Sequence, residues 1–219
     1  MKNIAGGFFI TVEGIDGCGK TTQAAMLAEY LRGRDLEVEH TREPGGTAIG
    51  SKIRAILLDP ANTAITGLTE LMLYSADRAQ HMDEVIEPHL GRGGVVVCDR
   101  FTDATAAYQG YARGLDLEVI EILSRISTRG REPDITLLLD LPVEKSLARA
   151  RHRNDENNAA SEARFEEEST EFHEHVRQGY LYISSCEPDR VKVIHAEGGI
   201  DEIQAAMRVA VDLKLGTRL

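Results

Sequence analysis

The run Gly14-Ile15-Asp16-Gly17-Cys18-Gly19-Lys20-Thr21 fits the spacing G-x-x-x-x-G-K-T, a pattern with one local structural solution. Phe8-Phe9-Ile10-Thr11-Val12 before it is apolar and β-prone, and residues 22–31 after it carry a helical pattern. A strand is therefore expected to run into a glycine loop, with a helix starting at Lys20. Successive backbone N–H groups in such a loop turn inward and form a concave anion site. The helix N-terminus adds a partial positive charge and unpaired donors. Gly14 and Gly19 permit backbone angles that a side chain forbids. Lys20 brings a point charge to the β- and γ-phosphates, and the Thr21 hydroxyl is a ligand for Mg²⁺. The chain is expected to bind a nucleoside triphosphate.

Elsewhere, strand and helix patterns alternate. Strands are expected at Phe8–Glu13, 36–41, 94–99, Ile135–Asp140 and 190–195. Helical patterns cover 20–33, 47–58, 68–90, 103–128, 143–153, 165–184 and 200–214. In 68–90 the expected buried stripe is Leu68, Leu71, Met72, Ser75, Ala79, Met82 and Ile86. This alternation reads as an α/β chain, a five-stranded parallel sheet with helices on both faces. A length of 219 residues suits one such domain, 1–219, and no Pro/Ser-rich linker divides it.

Bulk properties exclude several classes. A net charge of -11 argues against a duplex nucleic-acid partner, which favours a basic face. No stretch approaches a membrane span, and no secretory segment opens the chain. Cys18, Cys98 and Cys186 are widely spaced with no C-x-x-C pair, which argues against a zinc site and for a reducing, cytoplasmic location.

Two strands end in an aspartate, Asp99 and Asp140, and either fits the metal carboxylate of a P-loop enzyme. Asp140 runs into Leu141-Pro142, ordinary strand-to-helix punctuation. Asp99 is followed by Arg100 at the carboxyl end of a central strand, where ligands bind in such sheets. Asp99 is therefore the expected metal residue alongside Thr21, and Arg100 the phosphate partner. Arg42-Glu43-Pro44-Gly45-Gly46-Thr47 follows the second strand and lies on the same rim. It is either a pocket wall carrying Arg42 or a structural turn, with Thr47 placed to cap the next helix. Tyr74 and Arg78 are four apart on one helical face: a base-reading pair, or a core-edge ring beside a surface charge. Residues 154–163 are polar and Asn-rich, with Arg149, Arg151 and Arg153 before them and Arg164 after. They read as a mobile cover with basic ends, or as a solvent loop.

Taken in order, GIDGCGKTT, TREPGGT, LYSADRAQH, DRF with AAYQG shortly after, PDITLLLDLP, LARAR and RFEEES resemble the thymidylate kinase family over most of the chain. The resemblance implies a three-layer P-loop kinase fold with a lid at about 149–164. It implies phosphoryl transfer from ATP to dTMP in the supply of dTTP, with Mg²⁺. It places ATP against Gly14, Ile15, Asp16, Gly17, Cys18, Gly19, Lys20, Thr21 and Thr22. It places dTMP against Asp16, Arg42, Glu43, Pro44, Tyr74, Arg78, Arg100, Thr105, Tyr108 and Gln109. In this pattern Arg42 and Arg100 hold the acceptor phosphate, Tyr74 stacks on thymine and Arg78 donates to a base carbonyl. Tyr108 crowds the sugar 2′ position, and Asp16 reaches the 3′-hydroxyl or the metal's water shell. Lys20, Arg100, Arg151, Arg153 and Asp16 are the implied catalytic set. Some members carry a basic residue where this chain has Gly17; here the lid arginines Arg149, Arg151, Arg153 and Arg164 supply the cation instead. Ala104 stands where Ser is expected, and His173 where a second Phe is common. A homodimer through its helices is also implied. The competing readings are another nucleoside monophosphate kinase, or a switch NTPase, for which no D-x-x-G follows either strand-end aspartate.

Overall fold

The computed structural model describes residues 3–157, 164–165 and 168–216; the side chains of 151–157 lie outside that description. Five parallel strands form one sheet: β1 (Phe8–Glu13), β2 (Val38–Arg42), β3 (Val95–Asp99), β4 (Ile135–Asp140) and β5 (Val191–His195), in the order β2-β3-β1-β4-β5. Every residue of β1 and β3 is buried, as near-continuous apolar strands covered on both faces require. Alternate residues of β1 serve opposite faces. Phe8, Ile10 and Val12 share a core with Leu27 and Leu31 of α1 (Lys20–Arg32) and Met207 and Val211 of α9 (Ile200–Leu215). Phe9 joins Met82, Ile86, Leu90, Val96, Cys98 and Phe101 on the other face.

Register brings the functional ends level. Val12 pairs with Asp99, and Asp99 with Arg42, so the loops after β1, β2 and β3 open on one rim. Because β1 lies between β3 and β4, its loop emerges where the strand order reverses, the usual ligand crevice of such sheets.

The helices refine the sequence reading. Thr47 does cap α2 (Ala48–Leu58), accepting from the Gly50 N–H at 2.9 Å. The expected 68–90 helix is α3 (Gly67–His81), a wide π-helical turn (Met82–Ile86) and α4 (Glu87–Gly91). Its expected stripe is only partly right. Leu71, Met82 and Ile86 are buried and Ser75 is half-buried, but Leu68, Met72 and Ala79 face outward. The inner face carries Glu70, Asp77, Arg78 and His81 instead, because it borders a polar cleft. The expected 103–128 helix is two segments. Here α5 (Thr102–Thr105) runs into a π-helical turn (Ala106–Ala112), and α6 (Leu117–Thr128) restarts after Gly114 adopts φ 72° and Asp116 caps Glu118. Helix α7 (Val143–Asn157) runs beyond its expected end at 153. Helix α8 (Thr170–Cys186) begins at a Ser169 cap, later than expected. Residues 158–163, most of the polar stretch read as a cover, lie outside the described residues.

Candidate active site

The rim holds a cleft of about 510 Å³, lined by the β1–α1 loop, the ends of β2 and β3, and residues of α2, α3, α5 and α7. The glycine loop has the conformation its spacing predicts: Gly14, Gly17 and Gly19 have φ of 139°, 83° and 99°. Gly17 is the tightest of them. A Cβ there would stand 2.0 Å from the Ser146 carbonyl oxygen of α7. The Ser146 hydroxyl donates to the Asp16 carbonyl at 2.6 Å, so α7 packs directly on the loop. A basic side chain at position 17 has no room, for this physical reason.

Lys20 is buried, its Nζ donating to the Ile15 carbonyl at 2.9 Å. The Thr21 hydroxyl donates to Asp99 Oδ2 at 2.6 Å. A hydroxyl and a carboxylate oxygen side by side in a phosphate cleft are hard ligands suited to Mg²⁺, which takes its remaining ligands from phosphate and water. Asp140, the other strand-end carboxylate, is committed to Arg177 through two hydrogen bonds of 2.7 and 3.0 Å.

A network of arginines lines the same cleft. Arg100 sits at φ 72° immediately after β3. Its Nη2 donates to Asp16 Oδ1 at 2.6 Å and to the Tyr108 hydroxyl at 3.0 Å, and its Nη1 to the Tyr180 hydroxyl at 3.2 Å. The Tyr108 hydroxyl in turn donates to Asp16 Oδ2 at 2.8 Å. Burial would raise the Asp16 pKa, but Arg100 and then Lys20 outweigh it and hold the carboxyl well below the usual range. Asp16 is thus an ionised acceptor and a poor base.

Arg78 is fully buried, and its partners orient it. Nε donates to Glu43 Oε2 at 2.8 Å, and Nη2 to the Phe101 carbonyl at 3.0 Å and the Thr105 hydroxyl at 2.9 Å. Its Nη1 has no hydrogen-bond partner among the described residues, although Arg78 lines the cleft. A buried guanidinium N–H left open beside a cavity is a donor waiting for an acceptor. Glu43 also bonds His81 Nδ1 at 2.9 Å, and His81 Nε2 bonds the Thr41 hydroxyl at 2.7 Å, which ties the β2 loop to α3. Tyr74 lines the same cleft; burial, then Glu70, pushes its phenol pKa up, so the ring stays neutral. Gln109 donates to Glu70 Oε1 at 2.9 Å.

Of the residues singled out by sequence, Asp16, Gly17, Gly19, Lys20, Thr21, Thr22, Arg42, Glu43, Pro44, Tyr74, Arg78, Asp99, Arg100, Thr105, Tyr108, Gln109 and Arg149 all line the cleft. Ala104 lines it too. Arg164 is elsewhere: Nη2 pairs with Glu70 Oε2 at 2.7 Å and Nη1 donates to the Leu57 carbonyl at 3.0 Å. The side chains of Arg151 and Arg153 lie outside the described residues. His173 is buried with its ring edge-on to Phe172 at 5.6 Å; burial lowers its pKa, so it packs as a neutral ring, as an aromatic would. Sequence reasoning missed Glu13, Arg54 and Tyr180. Arg54 lines the cleft and donates to the Pro44 carbonyl at 2.9 Å. Glu13, a carboxylate ending an otherwise apolar strand, carried a legible signal. Tyr180, on a helix far along the chain, carried none.

Comparison with known proteins gives a consistent picture. A family model described as thymidylate kinase matches residues 12–207. A thymidylate kinase of Desulfosudis oleivorans is 52% identical over 205 residues, covering 93% of this chain and 96% of that protein. One from Geobacter sp. strain M21 is 53% identical over 196 residues, covering 90% and 87%. The crystal structure of thymidylate kinase from Ehrlichia chaffeensis superposes with a TM-score of 0.76 at 33% identity, covering 94% of this chain and 98% of that one.

Proposed function

The chain belongs to the thymidylate kinase family, and we propose that its cleft performs that family's reaction by clamping two phosphate anions between loop amides and arginines. The reaction is the ATP-dependent phosphorylation of dTMP to dTDP, a step in dTTP supply. The supporting observation is one cleft lined both by the Lys20 loop with the Thr21–Asp99 pair and by Arg42, Arg78 and Arg100.

ATP lies along residues 14–22, its β- and γ-phosphates on the loop amides and Lys20. Thr21 and Asp99 hold Mg²⁺, which when bound offsets phosphate charge. Arg42 and Arg100 grip the dTMP phosphate, and Asp16 and Tyr108 flank its sugar. Tyr74 faces thymine, and the open Nη1 of Arg78 donates to a base carbonyl. Glu43, Pro44, Thr105 and Gln109 complete the base wall. The acceptor phosphate has a second pKa of about 6 and is already charged at neutral pH, so no general base is required. The barrier is bringing two anions together, which alignment and fixed positive charge lower.

The steric block at Gly17 leaves the additional cation to the lid, about 149–164. Arg164, paired with Glu70, anchors its far end, so Arg149, Arg151 and Arg153 remain to meet the transferring group. Changing Arg151 and Arg153 together to Ala is expected to lower kcat by about 10³-fold, the low end for an arginine supplied in cis. Steady-state kinetics should find both KM values near wild type. Full turnover in the double variant would remove the lid arginines from catalysis.

Exposed Ile49 and Ile56 of α2, Leu68 and Met72 of α3, and Leu117, Ile122 and Ile126 of α6 support a homodimer, since α3 packs between α2 and α6. Sedimentation of the purified chain as a monomer would overturn that reading. The cysteines form no disulfide, and among the described residues no helix is long and apolar enough to cross a membrane; we place the enzyme in the cytoplasm, as one domain.

An acceptor panel of dTMP, dUMP, UMP, dCMP and thymidine tests the whole reading. With ATP and Mg²⁺, dTMP should turn over fastest and thymidine not at all, and chelating the metal should stop the reaction. No dTDP from dTMP would sink it.

A further inference from the structure

Behind Arg100, outside the cleft lining, two buried side chains share one hydrogen-bonded chain. Glu13 closes β1 and is fully buried. Its Oε1 accepts the Phe101 N–H at 2.7 Å, and its Oε2 accepts the Tyr180 hydroxyl at 2.7 Å. The oxygen of that hydroxyl accepts from Arg100 Nη1 at 3.2 Å. Residues on three elements, the end of β1, the β3–α5 turn and α8, therefore meet at one guanidinium.

The turn they hold needs holding. Arg100 has φ 72°, a region that side-chain-bearing residues rarely adopt and that persists only where the surroundings over-determine it. Three successive residues are pinned. The Asp99 carbonyl accepts from Glu43 N–H at 2.9 Å, the Arg100 N–H donates to the Val12 carbonyl at 3.0 Å, and the Phe101 N–H goes to Glu13. The last is a side-chain contact and can be edited by mutation. At the other end, Tyr180 fixes Nη1, which leaves Nη2 directed to Asp16 and Tyr108 on the cleft side. Neither Glu13 nor Tyr180 lines the cleft.

We propose that Glu13 and Tyr180 are positioning residues of the acceptor clamp: they fix the left-handed Arg100 turn and aim its guanidinium at the phosphate of dTMP. The inference rests on the reading of Arg100 as that clamp. Because the pair touches Arg100 and its turn rather than Lys20 or Thr21, it acts on dTMP and leaves ATP alone.

Tyr180→Phe is the sharpest test. It keeps the ring and its edge contact with Tyr108 and removes one hydroxyl. The KM for dTMP should rise roughly tenfold, as expected for losing one hydrogen bond to a charged group, with the KM for ATP unchanged. Glu13→Ala should raise it further, and Glu13→Gln, whose amide oxygen still accepts the Phe101 N–H, should recover most of that loss. A merely structural role would move both substrates together. If Glu13→Ala does not fold, Tyr180→Phe decides. Wild-type dTMP affinity in Tyr180→Phe, equal increases for both substrates, or a Gln variant no better than Ala each overturn the proposal. Wild-type enzyme assayed alongside separates the two readings. If it makes dTDP while Tyr180→Phe behaves normally, the positioning role alone fails; if it makes none, the clamp reading falls and takes this one with it.

Discussion

Lys20→Ala is expected to abolish turnover and leave the fold standing. The ammonium of Lys20 sits buried at the N-terminus of α1, on the proposed phosphate loop, and it brings the only full positive charge that the glycine loop itself holds. In a reaction whose barrier is charge repulsion, a fixed cation beside the reacting phosphates acts mostly on the transition state. Its loss should lower kcat by on the order of 10³-fold or more, equivalent to about 4 kcal/mol. The fold should survive because the two hydrogen bonds of the Lys20 ammonium, to Ile15 O at 2.9 Å and Cys18 Sγ at 3.8 Å, both stay within its own loop. The loop path is set by the positive φ of Gly14, Gly17 and Gly19 and by the Ser146–Asp16 bond. Initial rates with saturating dTMP, together with a thermal melt by circular dichroism, check both halves. Turnover within tenfold of wild type would show that the amides alone carry the phosphates.

The parts of this protein that were legible from sequence are those encoded within a few residues. The β1–loop–α1 unit is one, since its glycine spacing and flanking patterns specify a backbone path before any tertiary contact forms. The position of Asp99 at the glycine loop is another: it bonds Thr21, whereas Asp140 is paired with Arg177. Helix α3 shows where periodicity misleads. Hydrophobic spacing placed Leu68, Met72 and Ala79 inside, yet the buried face is the polar one. A helix bordering a binding cleft buries polar groups that bond one another, here Arg78 and His81 with Glu43 of the β2 loop, and leaves part of its apolar stripe outside, flanked by the exposed apolar residues of α2 and α6. Composition alone cannot distinguish those faces. The break at Gly114 inside an otherwise helical stretch was visible as a glycine and passed over. The Glu13–Tyr180 contact joins residues 167 apart in sequence, so no local pattern announces it.

Arg100→Ala should weaken dTMP far more than ATP, and the network around Arg100 explains why the loss should exceed that of one salt bridge. Two charge-assisted hydrogen bonds to a phosphate contribute roughly 3–5 kcal/mol, or about 10²–10⁴-fold in KM for dTMP. A second effect adds to this. Arg100 is the stronger of the two cations opposing the burial of Asp16, with Lys20 the other. Without it, the Asp16 carboxylate faces the incoming phosphate with its largest compensating charge gone, and like charges at close range disfavour binding. Arg100→Lys should rescue little. A single ammonium cannot reach Asp16, Tyr108 and Tyr180 together, as the planar guanidinium does. Binding of dTMP and of a non-hydrolysable ATP analogue, measured separately by calorimetry, isolates the effect from catalysis. ATP-analogue affinity should stay close to wild type, because the proposed site for its phosphates is the loop amides and Lys20 rather than the β3–α5 turn. Equal weakening of both ligands would mean that Arg100 organises the whole rim instead of gripping the acceptor, and its assignment to the dTMP phosphate would have to be abandoned.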